Sequence, residues 1–223
     1  MKTDAQIKQD ILDELVFLPD IDETQIGVIV EDGVVTLTGF VNAYPKKVAA
    51  EKAVKRVTGV KAVAEDIDVM YGDDYKKTDK EIAKAAVNAL EWNASVPKEK
   101  VMVKVENGFI FLTGNLPWAY QRDAAKRTVQ NLLGVKGVIN NIVLAPAVEP
   151  GNISEEIQKA LERSADLEAK GIRVQVNGST VQLKGRVHSH HEKKLAERAA
   201  YNAKGVTKVQ NDIAVQLYPE FAD

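Results

Sequence analysis

The side chains that could do chemistry in this chain are few and clustered. All three histidines fall in one stretch, His188-Ser189-His190-His191-Glu192. His188 with His191 or Glu192 at the start of a helix could hold a divalent cation. The same imidazoles on an exposed loop would form a pH-sensitive patch. A second cluster mixes rings with cations: Trp118 and Tyr120 beside Arg122, Lys126 and Arg127, and Tyr44 beside Lys46 and Lys47. Amphipathic rings next to basic residues suit an anchor for anionic lipid headgroups. The competing reading packs Trp118 against a neighbouring part of the protein, as large aromatics in small domains do. Nothing else is reactive. The chain has no Cys, which removes disulfides, thiolate ligands and Cys nucleophiles together. It also contains no GxSxG, Walker A, HExxH or post-strand GxGxxG pattern, so the main hydrolase, nucleotide and metalloprotease signatures are missing. Asp10, Asp13 and Glu14 read as an exposed helix face rather than a catalytic pair. The expectation is a protein that binds rather than catalyses, without a cofactor.

These clusters must be placed by elements, and the elements repeat. Ile7, Ile82 and Ile157 each open a helical pattern; a glycine (Gly39, Gly114, Gly185) follows after 32, 32 and 28 residues, a second glycine (Gly59, Gly134, Gly205) 20 later in all three, and a final Ile (Ile67, Ile142, Ile213) 8 beyond that. Such matched spacing is the signature of internal copies. Within each copy, Ile7-Ile11-Leu15, Ile82-Ala86-Leu90 and Ile157-Leu161 form the stripe of an amphipathic helix, with Asp4, Asp79 and Ser154 as expected N-caps. Alternating Ile26-Val28-Val30, Val101-Val103-Val105 and Ile172-Val174-Val176 predict half-buried strands. Asp32-Gly33, Asn107-Gly108 and Asn177-Gly178 then suit two-residue hairpin turns with positive φ. A second strand runs to the first glycine, and a second helix is expected over about 47–57, 121–132 and 192–203. The second glycine fits the position just past a helix end. A last strand closes each copy, at Ala62–Val69, Val138–Leu144 and Val209–Leu217.

The fold class is therefore α+β: three tandem α-β-β-α-β units, each a small mixed three-stranded sheet covered by two helices. The units are 1–70, 76–146 and 151–218. At this size each is individually marginal, and contacts between copies add stability. The stretches equivalent to the histidine cluster, Asn42 to Lys46 and Pro117 to Gln121, hold no ligand set, and a site wants three or four supported ligands.

Charge is uneven. Residues 1–75 carry 8 Lys/Arg against 15 Asp/Glu (net −7), residues 76–150 carry 11 against 7 (+4), and residues 151–223 carry 11 against 10 (+1). The second copy could meet an anionic surface, the first could dock on the second, or these could be ordinary solvated faces. No copy is strongly basic and aromatics are 6% of residues, which argues against nucleic acid. No apolar run approaches the ~20 residues of a membrane span. The N-terminal MKTDAQIKQDILDEL lacks the apolar core of a signal peptide, so the chain as given reads as cytoplasmic.

The residues at these glycines, Gly39-Phe40-Val41, Gly114-Asn115-Leu116-Pro117-Trp118 and Gly185-Arg186-Val187, with Gly134-Val135-Lys136-Gly137-Val138-Ile139-Asn140-Asn141-Ile142 and Gly205 to Ile213, resemble the BON family (bacterial OsmY and nodulation domain). The first copy departs with Glu65-Asp66 in place of an Asn, and the third has Ser179 where the others have Gly33 and Gly108. The resemblance implies a non-catalytic domain associated with osmotic and envelope stress and with phospholipid or membrane-surface binding. It also implies a periplasmic location, against which the missing lipidated Cys and leader stand. Two alternatives remain: a self-assembling or protein-interaction scaffold that forms homo-oligomers, and a cytoplasmic sensor of potassium or another small ligand.

Overall fold

The computed structural model describes residues 2–72, 75–145, 153–163 and 171–216. The first copy is α1 (Asp4–Val16), β1 (Ile26–Glu31), β2 (Val34–Val41), α2 (Tyr44–Val54) and β3 (Ala62–Val69). The second is α3 (Asp79–Trp92), β4 (Val101–Glu106), β5 (Phe109–Leu116), α4 (Ala119–Gln130) and β6 (Gly137–Leu144). The third is α5 (Ile153–Glu162), β7 (Arg173–Asn177), β8 (Thr180–Val187), α6 (His190–Tyr201) and β9 (Lys208–Val215). Each sheet places the second strand in the centre, antiparallel to the first and parallel to the third. In the first copy α1 packs over β1 and α2 over β3, and the helices touch each other. The expected stripes are the buried ones: Ile7, Ile11 and Leu15, then Ile82, Ala86 and Leu90, then Ile153, Ile157 and Leu161.

The N-caps differ from expectation. Thr3 and Thr78 cap α1 and α3, each in a capping box with the residue three positions on, Gln6 and Glu81. Asp4 and Asp79 stand one residue inside and do something else. Asp4 Oδ2 and Oδ1 accept the backbone N–H groups of Asp32 (2.8 Å) and Gly33 (2.9 Å). Asp79 accepts those of Asn107 and Gly108 at the same distances. The carboxylate thus clamps the hairpin turn to the helix, satisfying two donors that a two-residue turn leaves unpaired. Ser154 occupies this position in the third copy, inside α5, and its hydroxyl instead points at the Val174 carbonyl, 3.5 Å away.

The turns themselves follow the Asp-Gly and Asn-Gly expectation in the first two copies, with φ of +51° and +78° at Asp32 and Gly33, and +53° and +82° at Asn107 and Gly108. In the third copy Asn177 pairs with Thr180, so the central residues are Gly178 and Ser179, one place later than the sequence suggested. Positive φ is confined there to Gly178 (+57°), the pattern of a II′ turn, which takes Gly first.

Both repeated glycines have roles other than those expected. The central strands do not stop at Gly39, Gly114 and Gly185 but run two residues past them. At each the backbone is left-handed, and an added Cβ would lie 2.0–2.1 Å from a carbonyl oxygen, that of Gln25, Lys100 or Gly171. Only glycine permits that approach. The second helices start and end two or three residues earlier than expected, because in the first copy Pro45 fits a first helical turn and because a further turn follows each helix. Gly59, Gly134 and Gly205 sit in that turn, where Val60, Val135 and Val206 donate to the carbonyls of Val57, Leu132 and Ala203. Their positive φ suits the third position of a type II turn, not a helix end. The bare α-carbons of Gly59 and Gly134 admit Ile7 and Ile82 of the first helices.

Gly114→Ala should cost roughly 3 kcal/mol or more of unfolding free energy, since clash adds to strain. Gly178→Ala, with nothing within 4 Å of the added carbon, should cost about 1–2 kcal/mol. Urea melts of the two variants read the contrast. Asp79→Ala, which unpairs two turn donors, should cost about 1–2 kcal/mol in the same assay.

Candidate functional site

The ring-and-cation clusters and the histidines all occupy one structural position, the short link from the central strand into the second helix. In the second and third copies one asparagine fastens that helix to the sheet. Asn140 donates from Nδ2 to the Arg122 carbonyl (2.9 Å) and accepts the Ile142 N–H (3.3 Å). Asn211 does the same with Lys193 and Ile213. Glu65 stands here in the first copy, and an ionised carboxylate cannot donate. Lys47 instead reaches from α2 to donate to the Ile67 carbonyl at 2.6 Å. Burial pushes the Glu65 carboxyl above the usual range; Lys47 opposes this and Glu51 adds to it.

The link regions face other copies. Tyr44 is 9% exposed, and its hydroxyl meets the backbone of Val138 at the start of β6. The Tyr71 hydroxyl donates to the Val135 carbonyl at 2.8 Å. Burial holds both phenols above the ordinary tyrosine range. A cavity of about 220 Å³ lies in this seam, lined among others by Tyr44, Lys47, Glu65, Phe109 and Ile139. Arg122 on α4 stacks over Tyr201 of the third copy, 4.7 Å from the ring centroid, and the Tyr201 hydroxyl accepts the Val209 N–H at the start of β9. His190, opening α6, hydrogen-bonds through Nε2 to the Lys61 carbonyl just before β3. The start of the second helix therefore meets the start of the last strand of the next copy from one to two and from three to one, while α4 of copy two reaches copy three at Tyr201, the last residue of α6. The described residues form a closed head-to-tail ring.

This placement sorts the sequence candidates. Tyr44 is a seam residue, Arg122 is engaged across a seam, and Lys46, Lys47, Trp118 and Lys126 are half-buried. Trp118 and Tyr120 are ring neighbours at 6.4 Å. Tyr120 and Arg127 are exposed. The histidines do not converge. His188 lies 3.9 Å from Glu192 and His190 turns to another copy, and among the described residues no group of three His, Asp or Glu could hold a metal ion.

Two residues outside these clusters stand out. Phe17 and Trp92 follow α1 and close α3, 83% and 89% exposed. Both lie ten residues after the first Ile of their copy, so they are equivalent positions. That equivalence was available in the sequence, but the helix stripe ends at Leu15 and Leu90 and gives no sign of which way the next ring turns. Leu167 is the third equivalent and lies outside the described residues.

Comparison with known proteins adds the lineage. The BON domain family matches at residues 3–71, 78–146 and 151–216. The chain is 29% identical over 148 residues to osmotically-inducible protein Y of Escherichia coli (strain K12), covering 62% of this chain and 71% of that protein. Among solved structures, CdsD, a structural protein of the type III secretion system of Chlamydia trachomatis, aligns over 95% of this chain and 93% of its own at 15% identity and a TM-score of 0.28. Its C-terminal domain aligns at 13% identity, over 96% of this chain and all of that one, with a TM-score of 0.27.

Glu65 supplies a pH test. Its folded-state pKa is raised, so the folded state holds its proton to higher pH than the unfolded state, and stability falls as pH rises from the ordinary carboxylate range through the raised value. Solvent reaches much of the residue, so the effect is a trim on stability. Glu65→Gln should flatten that part of the melting-temperature profile and leave neutral-pH stability equal to or above wild type. An unchanged slope between about pH 4 and 6 would remove Glu65 as its source.

Proposed function

Since this chain belongs to the BON domain family, we propose that it is a non-enzymatic binding protein of osmotic or envelope stress that attaches peripherally to phospholipid surfaces. The similarity to a protein named for osmotic induction supports the stress context. Among the described residues no helix is long and apolar enough to cross a membrane, so attachment by these residues is through the folded surface.

The observation that carries the membrane reading is Trp92. A large indole 89% exposed at a helix end is the side chain that sits well at a lipid–water boundary. Exposed Lys98 and Lys100 follow it in the next loop, and its copy is the one with net charge +4, which favours anionic headgroups. Phe17 has the same exposure but stands beside exposed Asp13, Glu14 and Asp20. It is the weaker anchor for an anionic surface. The exposed Tyr120 and Arg127 on α4 are the second contact.

Co-sedimentation with phosphatidylglycerol-containing vesicles at low salt tests this. Wild type should pellet with the vesicles and be released by salt. Trp92→Ser should weaken binding at least about tenfold, the scale of burying one large ring, and Tyr120→Ala with Arg127→Ala should weaken it less. The reverse ranking moves the contact to α4. No binding at low salt overturns the reading.

A further inference from the structure

The three seams of the ring are unequal. Copies one and two share a single continuous core that runs from Ile7 through Tyr44 and Val69 to Ile82, Val135 and Ile142, with Tyr71 packed against it. The third copy has a core of its own, from Ile153 to Ile213. Among the described residues, its contacts onto the other two include ones of a different kind: the Arg122–Tyr201 stack, and the bond from His190 to the Lys61 carbonyl. These are surface contacts of polar groups, and neither core has to be broken to part them.

Covalent connection is unequal too. Copy one leads directly to copy two and copy two to copy three, but no peptide joins copy three back to copy one. The seam between the start of α6 and the start of β3 is held by noncovalent contact alone. Moreover, the two surfaces that meet there are different from each other, so the contact is heterologous. A heterologous contact closes on itself when the rotation allows, and otherwise joins one molecule to the next. When copy three swings away, its α6 start and the β3 start of copy one are left open to solvent. The surface that fits each of them is already known, because it is the one just vacated.

We propose that this seam opens and that the opened faces are matched by a second copy of this chain, copy three of one molecule seating on copy one of another. The inference stands apart from the membrane reading, since it uses only the seams. Closing within one molecule is favoured at low concentration, because a tethered partner has a high effective concentration. Exchange between molecules grows as protein concentration rises.

The absence of Cys makes a clean test. One full-length variant carries Ala62→Cys, beside Lys61, and another His191→Cys, beside His190, so that the native contact is kept. A third carries both. A short flexible bismaleimide on the double variant at low micromolar concentration should give an internally bridged monomer, identified by mass. Its absence would overturn the closed ring and with it the proposal. The two single variants, mixed, incubated at several hundred micromolar and then cross-linked, should give a mixed dimer at least fivefold in excess of either same-variant dimer. A mixed dimer no more abundant than the same-variant dimers, while the double variant still bridges internally, would show a seam that stays shut and would overturn the exchange.

Discussion

The structure depends on one approach of backbone to backbone. At Gly39, Gly114 and Gly185 the central strand passes so close to the carbonyl ahead of the first strand that a methyl group would overlap it. That passage falls just where pairing with the antiparallel strand runs out, and the central strand continues for two more residues against its parallel partner alone. Those two residues end in Val41, Leu116 or Val187, each buried, and the second helix starts from there. The direction of that helix and the seam surface it carries descend from a hydrogen atom in place of a side chain. This explains why a glycine recurs at this place in all three copies.

Local periodicity was readable and distant partnership was not. The stripe Ile82-Ala86-Leu90 declares a helix face by spacing alone, and Asn107-Gly108 declares its turn because few other pairs tolerate positive φ twice. Asp79 looked like a cap because acids near a helix start usually are. Its actual partners are turn N–H groups 28 and 29 residues away, a distance no local pattern spans. Gly134 looked like a helix terminator for the same reason, and the side chain that needs its bare α-carbon, Ile82, lies over fifty residues upstream. Glu65 was visible as a departure, but its meaning needed Asn140 and Asn211 seen against their helices.

The link region shows how units of one topology acquire different tasks. Tyr44, Ala119 and His190 stand at one equivalent position. The tyrosine is buried with its hydroxyl on a neighbour's backbone, and the histidine bonds a carbonyl. Three residues of the clusters that looked like sites of chemistry, Tyr44, Arg122 and His190, are contacts between copies. The most exposed of the described aromatic rings is Trp92, in the copy with excess positive charge.

The shared core of the first two copies also bears on synthesis. A chain is made from its N-terminus, and small domains generally fold as they emerge. The first copy here cannot complete its burial when its own last strand appears at Val69, because Val135, Val138 and Ile142 belong to the same cluster. A nascent chain of some seventy residues therefore carries an apolar flank until roughly as many again have left the ribosome. Chaperones have their interval between those two points, and a pause in translation placed there would lengthen it.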